Sequence, residues 1–225
     1  MKTWAVLPCY NEAERVGPVI DACREQGLEV VVVDDGSEDG TTPVALEHGA
    51  EVLRFGTNCG KGAAISTALV EAERRSLDAI ITLDGDGQHD PAEISKFLEC
   101  AERTDADIVV GTRMHDVRTM PFVRKCTNRF MSWVVSRLAG TRISDTQCGY
   151  RLMRTRVWSK LRLSTARYDT ESEILIQAAR RGFSVAEVPV RTIYTGSPSH
   201  INPVVDTWRF MRLIFRSFLP RHRRP

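Results

Sequence analysis

The sequence predicts an α/β layered domain built on a mostly parallel central sheet. Three observations lead there. Short apolar runs alternate with longer stretches whose apolar residues recur at helical spacing, the pattern of strand–helix–strand units. One run holds four valines in succession, Val30 to Val33, as suits a parallel strand covered on both faces. Polar, acid-rich segments follow the first, second and fourth runs, and α/β sheets gather functional groups at the carboxyl ends of their strands.

Taken in order, residues 3–7 read as a short buried strand ended by Pro8. Asn11 then caps a helix with Val16, Val19, Ile20 and Cys23 at helical spacing, and Gly27 closes it. Residues 28–33 form the second strand, a helix follows Thr41, and a short strand is expected at 51–55. Another helix begins near Gly60, where Ala63, Ala64, Ala68 and Leu69 permit close packing. Residues 79–83 are a buried strand, Pro91 opens a helix to about Arg103, and 107–110 is a further strand. Residues 121–139 read as helix, 169–181 as helix and 184–190 as strand.

The chain has 225 residues, 42% apolar and 27% charged, which is one globular domain with room for a real core. Its net charge of +2 hides an asymmetry. Past Asp206 there are six arginines and no acid, so 207–225 carries +6 and 1–206 carries −4. So balanced a body is no nucleic-acid coat. No run reaches the roughly 18 apolar residues that span a bilayer, and residues 4–7 are too few for a signal peptide. The six cysteines show no CxxC and no clustering with histidine, pointing to a reduced set and away from zinc.

The chemistry concentrates after three strands. Asp84 and Asp86 stand two apart, so in extended chain both carboxylates and Gln88 face one point. Hard oxygens of this kind suit Mg²⁺ or Mn²⁺ that also carries a phosphate. An acidic turn is the ordinary alternative for Asp-Gly pairs, but the strand end and a second acidic loop nearby favour the metal. That second loop is Asp34-Asp35-Gly36-Ser37, where a carboxylate can accept bonds from a base or ribose. Asn58-Cys59-Gly60-Lys61-Gly62 is one residue short of a P-loop and has Gly62 where Ser or Thr would bind magnesium. Lys61 there either balances a diphosphate or is a solvated lysine at a tight helix start. No G-x-G-x-x-G follows the first strand, which disfavours a nicotinamide dehydrogenase. Arg113, after the strand at 107–110, can fork onto phosphate oxygens.

In order, Pro8-Cys-Tyr-Asn-Glu12, Asp34-Asp-Gly-Ser37, Asn58-x-Gly-Lys-Gly62, Asp84-Gly-Asp-Gly-Gln88, Gly111-Thr-Arg113, Asp145-Thr-Gln-Cys-Gly-Tyr-Arg151 and Glu171-Ser-Glu173 resemble family 2 glycosyltransferases. More narrowly they resemble the dolichyl- or polyprenyl-phosphate sugar transferase branch, from the first strand to about residue 206. The resemblance implies a GT-A (Rossmann-like) three-layer domain over 1–206, and 207–225 reads from its own residues as a basic amphipathic helix. The resemblance also implies a nucleotide-sugar donor of GDP-mannose or UDP-glucose type, a divalent ion and inversion at the sugar carbon. Pro8, Tyr10, Glu12, Val33 and Asp35 would hold the nucleotide. Lys61, Asp84, Gly85, Arg113 and Arg191 would meet the donor, Asp84, Asp86 and Gln88 the ion. Asp86, Arg113, Asp145 and Glu171 would carry the chemistry, while Arg129, Gln147, Arg151, Ser199 and His200 would line the acceptor side. Gly85, where the family often has alanine, is expected to be a harmless departure.

The implied acceptor is a polyprenyl phosphate, already an anion because its second pKa is about 6, so no strong base is needed. A soluble hydroxyl acceptor would instead need one, from Asp145, Glu171 or Glu173. The plain alternative for Glu171 and Glu173 is acids favoured at a helix N-terminus. A third reading is a non-catalytic, membrane-associated binding protein on the same fold. Residues 119–139 mix aromatic and basic residues, either a membrane-resting amphipathic helix or core packing with a solvated face. In 207–225, Arg209, Arg212 and Arg216 share a stripe beside an apolar face, and Arg221, Arg223 and Arg224 follow Pro220. The expectation is a cytoplasmic protein held peripherally on the inner face of a membrane by this basic foot, with room for an anchoring partner protein.

Overall fold

A computed structural model describes residues 1–115, 122–161, 163, 169–191 and 193. Among these, seven strands form one sheet: β1 (Thr3–Cys9), β2 (Glu29–Asp34), β3 (Glu51–Arg54), β4 (Ala79–Thr82), β5 (Ile108–Thr112), β6 (Arg151–Arg154) and β7 (Val185–Pro189). Their order across the sheet is β3-β2-β1-β4-β6-β5-β7. All pairings are parallel except those of β6, which runs against both β4 and β5. The helices are α1 (Val16–Glu25), α2 (Thr41–Glu47), α3 (Lys61–Arg74), α4 (Ile94–Thr104), α5 (Phe122–Ala139), α6 (Thr155–Trp158) and α7 (Asp169–Arg180).

Two cores, one on each face of the sheet, explain the apolar runs. Ala5, Leu7, Val30 and Val32 pack with α1, α2 and α4 on one face. Trp4, Val6, Val31 and Val33 pack with α3, α5 and α7 on the other. Successive strand residues point to opposite faces, so a strand buried twice must be apolar at every position. This is the three-layer α/β arrangement expected from the sequence.

Several local expectations need correction. Pro8 does not end β1. It lies inside it, opposite Val33 of β2, and pairing with β4 has stopped by Val6, so its missing N–H falls on an unpaired edge. Asn11 does not cap α1, which starts at Val16. It sits in the left-handed region at φ 57°, and its side chain instead accepts the Glu38 N–H at 3.0 Å. Pro91 opens a 3₁₀ turn, Pro91–Glu93, and the α-helix proper begins at Ile94. Two elements were not anticipated, the short helix α6 and the strand β6. The 207–225 helix and the boundary at 206 lie outside the described residues.

β6 matters for the site. Running backwards between β4 and β5, it begins at the edge where those strands end, pairing Arg151 with Thr82. The segment 145–150 is thereby delivered to the same end of the sheet as the acidic loops.

Candidate active site

Strand order reverses at β1, with β2 on one side and β4 on the other, and a crevice opens at such a switch point. Here it is a cleft of about 320 Å³ lined by Pro8, Cys9, Tyr10, Glu12, Asp35, Asn58, Gly60, Lys61, Asp84, Gly85 and Asp86. The loops after β1, β2 and β4 thus meet as the motif positions imply. Tyr10 is 45% exposed, an apolar ring standing at the surface of the cleft.

The acidic loop after β2 is held from within. Asp34 accepts the Ser37 N–H at 2.8 Å and a short bond from the Thr42 hydroxyl. Asp35 accepts the backbone N–H groups of Cys59 and Gly60, at 2.6 and 2.8 Å, and so ties the start of α3 to the cleft wall. Gly36 has φ 78°, and a Cβ there would lie 2.7 Å from the Thr57 carbonyl carbon, so only glycine lets these loops touch. Glu12 is paired with Arg15 at 2.7 Å.

Lys61 forms the floor of the cleft. Its ammonium lies 2.5 Å from Asp84 Oδ1 and 3.0 Å from Glu171 Oε1. The second contact is an ion pair without hydrogen-bond alignment. Burial disfavours the lysine charge, but Asp84 and then Glu171 outweigh it and hold the ammonium above the ordinary lysine range. Asp84 answers in kind: burial would raise it, but Lys61 and then His89 keep it well below the carboxylate range. His89 Nε2 stands 3.3 Å from Asp84 Oδ2, its ring edge-on to Tyr150. Gly149 completes the cradle, for a Cβ there would meet Lys61 Nζ at 2.6 Å. A Cβ on Gly85 would lie 2.5 Å from Cys9 Sγ. The cysteine therefore fills the space an alanine methyl would take.

A second cluster stands behind the cleft. Arg113 forks onto Asp145 through Nε at 2.8 Å and Nη2 at 2.9 Å, leaving 11% of its side chain exposed. Asp145 also accepts the Arg113 N–H, the Asn128 side-chain amide and the Gln147 N–H. Burial alone would raise the Asp145 carboxyl, but the Arg113 fork and charge, with Asn128 behind them, hold it below the usual range. The carboxylate thus fixes the Arg113 guanidinium in place.

Other sequence candidates fall in different places. Arg151 is buried and donates to the carbonyl oxygens of Cys148, Glu171 and Thr146 at 2.7, 2.8 and 2.7 Å. It ties the 146–148 loop to α7 and is structural, not an acceptor contact. Val33 is in the core facing α3, so its side chain does not wall the cleft. Arg191 is exposed, with its backbone N–H on Glu93 Oε2 at 3.0 Å. Glu173 accepts from Gln177 at 2.8 Å. Gln147 lies beside Asp145 with its amide 3.5 Å from Ser172 Oγ. Arg129 is exposed on α5. Ser199 and His200 are outside the described residues. Sequence reasoning missed Cys9, His89, Asn128 and Gly149. Cys9 and Gly149 lie inside the Pro8–Glu12 and Asp145–Arg151 runs and His89 directly follows Gln88, whereas Asn128 had no signal.

The donor set fits a hard divalent ion. Asp86 lines the cleft and accepts the Gln88 N–H on Oδ1 at 3.0 Å, which holds the turn. Asp84 is adjacent but committed to Lys61. Two carboxylates in a glycine-flanked turn suit Mg²⁺ or Mn²⁺ that takes its remaining ligands from phosphate and water.

A sheet covered on both faces with a cleft at its switch point is the architecture of the GT-A class. Residues 4–162 match the family model described as Glycosyl transferase family 2. The chain belongs to that family. It is 32% identical to a polyprenol monophosphomannose synthase of Mycolicibacterium smegmatis, over 84% of this chain and 76% of that one. It is 29% identical to a UDP-N-acetylglucosamine–dolichyl-phosphate N-acetylglucosaminyltransferase of Methanococcus voltae, over 85% and 86%. Among solved structures, glucosyl-3-phosphoglycerate synthase from Mycobacterium tuberculosis with Mn²⁺ and UDP-glucose superposes with a TM-score of 0.74, covering 97% of this chain and 80% of that one. At 20% identity that likeness is one of fold. Among the described residues no helix is long and apolar enough to cross a membrane.

Proposed function

We propose that the chain transfers a hexose, with inversion, from a nucleotide sugar of GDP-mannose or UDP-glucose type to a polyprenyl phosphate. The observation that carries this reading is that each of the three candidate bases is already engaged, Asp145 and Glu171 by cations and Glu173 by the Gln177 amide. Asp145 is saturated by Arg113 and Asn128, and Glu171 faces Lys61. A hydroxyl acceptor requires a group to take its proton. A lipid phosphate arrives ionised and does not. Relatives named for dolichyl- and polyprenol-linked products support the same acceptor.

In this mechanism Tyr10 and the loop pinned by Asp35 receive the nucleoside, and Lys61 places a fixed positive charge beneath the diphosphate. Asp86, with Asp84 and Gln88 beside it, would hold a Mg²⁺ or Mn²⁺ ion that supplies positive charge for the departing nucleoside diphosphate. Arg113, its guanidinium fixed by Asp145, would meet the donor phosphates and stabilise the charge on the departing group. One in-line displacement gives inversion. We assign 1–206 as the catalytic domain and 207–225 as a basic foot that holds the protein peripherally on the cytoplasmic face of a membrane, at roughly 1 kcal/mol per basic residue near an anionic leaflet.

The test is a panel of labelled nucleotide sugars with polyprenyl phosphate and Mg²⁺ or Mn²⁺. Organic-soluble label from at least one donor is expected, abolished in Asp86→Ala. Water-soluble glycoside from a saccharide acceptor, or no lipid-linked label with any donor, overturns the assignment. A chain ending at Asp206 is expected to pellet less with anionic liposomes than the full chain.

A further inference from the structure

We infer that His89 is a positioning residue for the divalent ion, fixing the plane of the Asp84 carboxylate so that a hard cation meets it ready-set. The ring would touch the carboxylate and not the ion. The turn after β4 closes on itself through these two side chains, five residues apart, with His89 Nε2 3.3 Å from Asp84 Oδ2. Gly87 reverses the chain at φ 74°, a conformation side chains rarely adopt, and so lets His89 return toward Asp84. The other oxygen, Oδ1, lies 2.5 Å from the Lys61 ammonium. One contact alone would leave the carboxylate free to rotate about its own bond. Contacts on both oxygens fix its plane, while 33% of the side chain stays exposed at the cleft. Each oxygen keeps a second lone pair for an ion.

The imidazole is itself held. It is 5% exposed and edge-on to Tyr150, with ring centroids 5.1 Å apart. Tyr150 stacks on Phe97 of α4 at 4.3 Å, and its hydroxyl donates to the Asp90 carbonyl at 3.1 Å. Tyr150 and Phe97 are both fully buried. A column of rings thus runs from α4, past the residue that precedes β6, to the acidic turn. His89 Nδ1 is buried and has no hydrogen-bond partner among the described residues. A buried N–H without an acceptor costs about 1–3 kcal/mol, whereas Nε2 faces a carboxylate, so the proton belongs on Nε2. Packing does not account for such a ring, since an apolar side chain would fill the space without an idle nitrogen. What the imidazole adds is the N–H for Asp84. Carboxylates that ligate metals are oriented by partners of this kind, whose loss costs about 10- to 100-fold in metal affinity or activity.

The inference rests on the ion assignment and is read without sugar donor or lipid acceptor, so it and the proposed transfer can fail separately. Free Mn²⁺ is followed by its EPR signal during titration of the full chain, with Mn²⁺ alone and again with UDP or GDP present. His89→Phe keeps a ring against Tyr150 and removes the donor. His89→Gln places an amide N–H where Nε2 stood. The phenylalanine should raise the Mn²⁺ dissociation constant at least about tenfold, and the glutamine should return it to within about threefold of the parent. His89→Leu is the donor-free variant if the phenylalanine does not fold, with melting curves run on every chain. Mn²⁺ held by the folded donor-free variant within about twofold of the parent overturns the inference. So does a glutamine variant as weak as the phenylalanine one, for the ring would then be a packing piece. A parent that binds no Mn²⁺ under any of these conditions overturns the ion assignment and the inference together.

Discussion

Gly149→Ala isolates the electrostatics of the cleft floor. The added methyl would sit 2.6 Å from Lys61 Nζ and 3.1 Å from both Asp84 carboxylate oxygens. Ordinary contact needs about 3.5 Å, so the flexible end of Lys61 must retreat by about 1 Å. The 2.5 Å pair with Asp84 then lengthens to about 3.5 Å. At an effective dielectric constant of about 20, the attraction falls from about 6.6 to about 4.7 kcal/mol. Asp84 is 33% exposed, and solvent screening trims that difference to about 1–2 kcal/mol. If the ammonium serves the diphosphate, kcat/KM for lipid-linked hexose should fall about 5- to 30-fold at 25 °C. The unfolding midpoint should drop by only about 2–8 °C, leaving the enzyme folded in the assay. Turnover within twofold of the parent would refute the reasoning, for Lys61 would then be a structural pair with no part in catalysis.

Gly85→Ala should cost about 1–3 kcal/mol through collision with Cys9 Sγ, and Cys9→Ala in the same chain should recover most of it; strictly additive losses in urea titrations would contradict the pairing. Arg151→Met should strip three buried carbonyls of their donor and lower unfolding free energy by about 3 kcal/mol or more, so an unchanged denaturation midpoint would argue against the clamp. The depressed Asp145 carboxyl contributes stability that is present above the unfolded carboxylate pKa of about 3.9 and is lost as pH falls through its lower folded value. Melting curves from pH 7 to 2.5 should therefore decline more steeply in the parent than in Asp145→Asn, and parallel profiles would count against that latch.

Much of this was legible in the sequence because burial and chemistry leave different marks. Val30 to Val33 announced a strand covered twice, and Asp84-Gly-Asp86 directly after an apolar run announced a charged edge. Position, however, was not legible. Asp145 and Arg113 were separately recognisable, but nothing local says that they face each other, since the pairing depends on a strand running backwards from Arg151. That strand itself was hidden: four residues with a buried arginine at the head have neither alternation nor an apolar run. Arg151 read as an acceptor contact because a charged residue is seldom fully buried, and its three carbonyl partners come from segments 3 to 20 residues away. Pro8 misled for a related reason, as its tolerance inside β1 depends on where β4 stops.

The reversed strand has a consequence for synthesis. The first four strands come off the ribosome in sequence, and their sheet can assemble from the first 82 residues. β5, made next, has no seat beside them, because the place next to β4 is kept for a segment ending at Arg154. Until then β4 and β5 each carry an open edge, and the cleft lined by Pro8 to Asp86 stands without Gly149 and its neighbours over Lys61. One four-residue strand, β6, then joins β5 to the first four, and β7, made last, closes the outer edge of β5.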